Sequence, residues 1–289
     1  MPVNLKPTKC NICGGDVILT SNSVIYGKEF GNGKIYYCTS CEAYVGTHKY
    51  RDDEAMGILA NKETRELLYE DLAEKGAEFR KGYGISGRLA NFLDNDIDRI
   101  NMTFAILLSL KGIPIIYYGD EIGSQNNFSY AQRWAKIREK RNKIKNNEML
   151  SYFDSRDIHR GAIKRNTFYR AMYRNNNFNS KIYKNVKRLI EVRKNYNTIS
   201  RGDFVEVKSN KSEVFSYLRT GKYDRILIVN NLSEDKVYAE LDCSLFNFTE
   251  EQTEIKMNEL ITKDPKTFKI ENKKLIVKLK PYETMWLSF

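Results

Sequence analysis

The stretch Leu110-Lys111-Gly112-Ile113-Pro114-Ile115-Ile116-Tyr117-Tyr118-Gly119-Asp120-Glu121-Ile122-Gly123 holds an uncharged apolar run between two glycines. Ile113 to Tyr118 are apolar at successive positions rather than alternate ones, as expected of a short parallel strand buried on both faces. Gly119-Asp120-Glu121 then falls at the strand's C-terminal end, where α/β folds place polar functional groups.

Upstream, Ile97, Ile100, Phe104, Leu107 and Leu108 make one apolar helical stripe, ended by Gly112. Asp94 or Asp96 is suited to cap that helix, because a short acidic side chain can accept the first free N–H groups. Lys81-Gly82-Tyr83-Gly84-Ile85-Ser86-Gly87 breaks the chain before it, and residues 62–80 read as an earlier helix with Gly76 as a weak spot.

Downstream, a helix is expected from Asn179 or Ser180 to Tyr196, with Ile182, Val186, Leu189 and Ile190 on one side. Beyond it the period shortens to two. Strands are expected at Phe204–Val207, Val214–Arg219, Arg225–Asn230, Val237–Leu241, Leu275–Leu279 and Thr284–Ser288, separated by turn signals such as Gly221 and Pro281. Six to eight short antiparallel strands suffice for a β-sandwich. Cys243 is expected as a lone thiol, at least partly buried.

The other four cysteines are Cys10, Cys13, Cys38 and Cys41, two Cys-x-x-Cys pairs separated by 24 residues. Two such knuckles place four soft thiolates where tetrahedral zinc takes them. Val17–Thr20 and Lys34–Tyr37 read as short strands joined by a Gly31-Asn32-Gly33 turn, which gives a zinc ribbon. Disulfides and free buried thiols are the competing readings; the absence of a secretory signal disfavours the first. Four thiolates fill the tetrahedron, so His48 is read as a surface histidine and the site as structural Zn2+. Glu42 is the carboxylate beside a knuckle, too little for a catalytic metal.

The chain of 289 residues carries a net charge of +11, unevenly spread. From Ser124 to Ser200 there are 19 Lys and Arg against 5 Asp and Glu, an excess larger than that of the whole chain. Arg133, Lys136, Arg138, Lys140, Arg141, Lys143 and Lys145 alternate with Ile137 and Ile144, as on a solvated helix face. Nucleic-acid binding is the lesser expectation, since neither aromatic interleaving nor a reader motif accompanies the charge. There is no apolar run of about 18 residues, so no membrane span is expected, and the expected location is cytoplasmic.

Cys10 to Gly15, Ser23 to Gly27 and Cys38 to His48, continued by Met56 to Asn61 and Glu63 to Leu67, resemble a small zinc-finger-containing family of phages and prophages, over about residues 8–68. Leu110 to Gly123 resembles the segment around the eighth barrel strand of alpha-amylase family glycoside hydrolases. Gly84–Leu89, Leu93–Asp96, Asp154 to Ile158, Tyr183–Arg193 and Pro281 to Trp286 extend the likeness over about residues 72–289. It is nearest to the trehalose-synthase and maltose-glucosyltransferase branch.

That second resemblance implies α-glucoside cleavage or transfer by a carboxylate pair about 5–5.5 Å apart. In the family these acids come from strands four, five and seven, whereas the matching part of this chain starts after strand seven. The Gly-Phe-Arg-x-Asp nucleophile motif does not occur. Phe92-Leu93-Asp94-Asn95-Asp96 is similar to the strand-seven signature but lacks its histidine, so Asp94 and Asp96 are read as helix caps. The resemblance makes Glu121 a structural residue, and Asp120 has no partner acid by motif. His159 is read as a loop residue, and Ser86 lacks a nucleophile elbow. No catalytic residue is therefore assigned.

The expected fold is α+β and multidomain. A zinc ribbon spans residues 1–68, and a partial barrel with its last αβ unit spans residues 69–200. A C-terminal antiparallel β-sandwich follows over residues 201–289. A complete barrel needs about 250 residues, far more than precede Gly112, so the lone strand's edges must be covered or left open. The expected function is that of the C-terminal portion of a trehalose-synthase-like enzyme joined to a zinc module, inactive alone, as a natural fusion, a fragment or an assembly artefact. Its expected partners are an α-glucan or maltose, and a missing barrel half in trans. A phage-type zinc protein binding nucleic acid or protein is the second reading. An active glucosidase or glucosyltransferase with unrecognised acids is the third.

Overall fold

A computed structural model describes residues 17–25, 28–38, 44–46, 71–80, 84–145, 152–246 and 251–289. The chain divides into two compact units, residues 1–85 and 86–289.

In the first unit, β1 (Val17–Ile25), β2 (Lys28–Cys38) and β3 (Tyr44–Gly46) form an antiparallel sheet in the order β1-β2-β3. The pairing Ile25↔Lys28 puts the hairpin connection at residues 26–27. The expected turn at Gly31-Asn32-Gly33 is therefore corrected. These residues lie inside β2, where the register jumps from Asn22↔Lys34 to Val24↔Glu29. The extra residues of β2 loop out there, and glycine tolerates the strain of such a bulge. The helix expected over residues 62–80 is also corrected in part. Residues 71–75 are helical, but β4 (Ala77–Arg80) is a strand paired with β5 (Gly84–Ser86). Gly76 stands at the change; its helix propensity is about 1 kcal/mol poorer than that of alanine. Residues 62–70 lie outside the described residues.

The second unit starts with a single helical turn, α1 (Leu89–Phe92), and α2 (Ile97–Ser109). Asp96 is the cap that the sequence offered, its carboxylate accepting the N–H groups of Asp98 and Arg99 at 2.8 and 2.9 Å. Asp94 instead pairs with Arg99 at 2.8 Å. Ile100, Phe104, Ala105 and Leu108 of α2 are buried. The basic α3 (Phe128–Lys145) follows, with Arg133, Lys136, Lys140 and Arg141 exposed as a solvated face. Then come α4 (Arg165–Tyr173), α5 (Phe178–Asn195) and a short α6 (Asn197–Arg201). Asn177 and Ser180 form a reciprocal capping box at the start of α5.

The C-terminal strands are β6 (Asp203–Glu206), β7 (Val214–Thr220), β8 (Arg225–Asn231), β9 (Val237–Asp242), β10 (Glu254–Glu259), β11 (Pro265–Glu271), β12 (Lys274–Leu279) and β13 (Thr284–Ser288). They do not make two separate layers. One continuous antiparallel sheet runs β6-β7-β8-β13-β10-β11-β12-β9. It curls until its ends meet, where Asp242 N–H donates to the Lys208 carbonyl at 2.9 Å and Ser209 bridges Leu241. Closure of this kind removes exposed strand edges.

Alternation along β7, β8 and β13 explains two cores. Leu218, Leu227, Val229, Met285 and Leu287 point into the curl with Leu241 and Val277. Their neighbours Tyr217, Ile226, Ile228 and Trp286 point outward and pack with Ile100, Phe104 and Leu108 of α2 and with Ile182, Val186 and Leu189 of α5. Three arginines tie the segments together. Arg193 donates to the carbonyls of Leu108, Leu110 and Gly112 at the end of α2. Arg219 donates to those of Ile199 and Gly202 around α6, and Arg188 to those of Leu260 and Ile261. Such carbonyls have no partner within a helix, and a cation suits that end of its dipole.

The buried parallel strand expected at Ile113–Tyr118 is absent. The segment is extended, but no strand pairs with it among the described residues. Ile113 and Ile115 are 93% and 84% exposed, while Ile116 rests against the helical core. A strand exists only by hydrogen bonding to a neighbour, and none lies alongside. Among the described residues no helix is long and apolar enough to cross a membrane.

Candidate functional site

The chemistry that the sequence singled out converges on Arg88, which is 2% exposed. Its backbone N–H donates to Asn126 Oδ1 at 2.8 Å. Its guanidinium donates to the Tyr118 carbonyl and meets Asp120 Oδ1 at 3.3 Å. The same group lies 5.0 and 4.9 Å from the ring centres of Tyr117 and Tyr118, within cation–π range. A buried cation is tolerated because a carboxylate, a carbonyl and two ring faces share it.

Two glycines shape the loop below it. Gly119 and Gly123 have φ of 93° and 63°, on either side of the short 3-10 turn Asp120–Ile122. A Cβ on Gly123 would collide with Phe178 and Ile182, so only glycine lets this loop lie against α5. Glu121 Oε2 accepts the Gly119 N–H at 2.6 Å, which makes Glu121 a tie within its own loop. Burial raises the Asp120 carboxyl, and the Arg88 charge opposes that rise.

The remaining acids nearby are also engaged. Asp154 holds Arg156 through both oxygens, at 2.8 and 2.7 Å, and this pairing pulls its carboxyl down to about 2. Asp157 pairs with Arg138 at 2.6 Å. His159 closes the short 3-10 helix Ser155–His159 with its ring edge-on to Tyr117, 5.4 Å between centres. Burial, then the charges of Arg88 and Arg160, push its imidazole down, toward the neutral form. Ser86 faces Ser155, the two hydroxyls 3.3 Å apart.

Thus Asp120, His159 and Ser86 surround one arginine, whereas Asp94 and Asp96 belong to the start of α2. Among the described residues, Asp120 and Glu121 do not form a free pair that could flank a glycosidic bond. Arg88 was not singled out from the sequence; its signal is a basic residue after Gly87 in an otherwise apolar Gly-Arg-Leu-Ala segment. Of the four candidate zinc ligands, Cys38 ends β2, and Cys10, Cys13 and Cys41 lie outside the described residues, as do Glu42 and His48. No group of three or more metal-ligating side chains occurs among the described residues. Cys243 is buried, and burial pushes its thiol up to about 11.

Residues 85–202 match the model of the alpha amylase catalytic domain, and residues 204–286 that of the maltogenic amylase C-terminal domain. Residues 6–71 match a zinc-finger-containing domain. A trehalose synthase of Pimelobacter is 30% identical over 197 residues, 66% of this chain and 34% of its own length. A trehalose synthase/amylase of Mycobacterium tuberculosis is 29% identical over 201 residues, 66% of this chain and 32% of its own length. The chain spans about a third of the length of these relatives. A noncanonic maltogenic alpha-amylase of Thermotoga neapolitana has a solved structure with a TM-score of 0.47 and 20% identity, covering 71% of this chain and 39% of that one.

Proposed function

We propose that residues 72–289, which resemble the C-terminal part of alpha-amylase family glycoside hydrolases of the trehalose-synthase branch, keep that enzyme's scaffold without its catalysis. The observation that carries this reading is the structural use of both motif acids. Glu121 is tied to Gly119 and Asp120 to Arg88, leaving neither free to act as nucleophile or proton donor. The chain alone neither hydrolyses nor rearranges maltose. Its affinity for an α-glucan, and its pairing with a separately encoded barrel half along Ile113–Tyr118, belong to the same reading. The exposed Ile113 and Ile115 support the second.

Residues 1–68 form a separate module in which Cys10, Cys13, Cys38 and Cys41 hold one structural Zn2+. Two knuckles of thiolates suit that ion, and the family match over residues 6–71 supports it. The test is a maltose turnover assay on the zinc-loaded full chain. No glucose or trehalose should form; turnover that disappears in Asp120→Asn or Glu121→Gln would overturn the proposal.

A further inference from the structure

A cleft of about 610 Å3 lies behind Arg88, lined by Ser124, Gln125, Asn127, Lys164, Thr167 and Asn179 among others. No Asp or Glu lines it. Three helices of nine residues or more begin at its wall. Asn127 precedes α3, Lys164 is the residue before α4, and Phe178 and Asn179 open α5. None of the three carries an acidic residue in its first turn. The start of α4 has no side-chain cap at all, so its first N–H groups keep their capacity to donate. Helix starts carry partial positive charge and free donors, which favour anions.

A second observation is independent of the helices. Arg88 lines the same cleft, is 2% exposed, and its Nε has no hydrogen-bond partner among the described residues. Asp120 meets only one end of this guanidinium. A buried donor without an acceptor is costly, and an oxyanion in the cleft would supply the acceptor.

We infer that this cleft binds a phosphoryl oxyanion, held by Arg88, Lys164 and the N–H groups at the start of α4. Its volume is within the range of small-molecule sites, so inorganic phosphate and a phosphorylated sugar share the required chemistry. Neither the proposed zinc module nor the proposed lack of turnover is needed for this.

The test is calorimetric titration of the full chain with inorganic phosphate, glucose 6-phosphate and glucose. Phosphate, the phosphorylated sugar or both should bind, glucose should not, and binding should weaken as salt is raised. Binding by both means that the oxyanion suffices; binding by glucose 6-phosphate alone means that the sugar contributes. Lys164→Gln should weaken binding by about fivefold, the loss of one charge-assisted contact. Asn127→Asp should weaken it by about tenfold or more through like-charge repulsion. The aspartate keeps the oxygen that accepts from Tyr130 N–H and Ser129 Oγ, so helix α3 should remain intact by circular dichroism. Absence of phosphate binding in folded protein, equal binding of glucose, or affinity unchanged in both variants would overturn the inference.

Discussion

Ser109 Oγ and Tyr217 Oη lie 2.6 Å apart, joining the last residue of α2 to the outer face of β7. Both residues are fully buried. Ser109 Oγ also donates to the Ala105 carbonyl at 2.7 Å, which leaves the tyrosine hydroxyl as donor to the serine. The helical segment and the curled sheet are thus fastened through their common core.

Tyr217→Phe removes that bond and keeps the ring. A loss of about 1 kcal/mol is expected, the usual net worth of a buried hydrogen bond. Urea denaturation followed by both tryptophan fluorescence and circular dichroism should still give one coincident transition for residues 86–289. Two separated transitions would show that helices and sheet unfold independently.

Arg193→Met should cost more. It strands the carbonyls of Leu108, Leu110 and Gly112 at once. A destabilisation of about 3 kcal/mol is expected from such a loss of buried partners. A midpoint shift no larger than that of Tyr217→Phe would contradict this account of how α2 is terminated.

Asp154 provides a pH signature. Its folded carboxyl titrates near 2 because Arg156 holds it, below the unfolded value of about 3.9. The folded state therefore binds fewer protons in this interval, and the pair's stabilisation is present above about pH 4 and lost as pH falls toward 2. Asp154→Asn should flatten the stability profile in that window. An NMR titration of the Asp154 carboxyl with a midpoint near 4 would refute the pairing.

Cys243 should be slow toward alkylating reagents in the native protein, because its thiol is buried and raised to about 11, and the thiolate is the reactive form. Mass spectrometry after iodoacetamide treatment at neutral pH should find Cys243 labelled only after denaturation. Rapid native labelling would show that the curl opens.

Much of this architecture was legible where a local signal and a tertiary need agree. Asp96 caps because an acid precedes an apolar stripe, and the strands with clean alternation, such as Thr284–Ser288, fall at their expected positions. β10 and β11 were missed because Lys and Glu dominate their exposed positions and Pro265 opens the second. The Ile113–Tyr118 strand failed for the opposite reason. Its composition states a preference for two neighbours, and composition does not report whether neighbours exist. The role of Arg88 was invisible, since its partners lie 30 to 38 residues away.

The packing of α2 against β7, β8 and β13 has a consequence for synthesis. Its apolar stripe ends at Ser109, and its partner Tyr217 lies 108 residues later. At about 5–20 residues per second, the stripe waits roughly 5–20 s for its cover to emerge. During that interval Ile100, Phe104 and Leu108 face the ribosome's surroundings together with Ile113 and Ile115. A nascent chain halted before β7 is therefore a client for chaperones that hold apolar segments, and one halted after β13 is much less so.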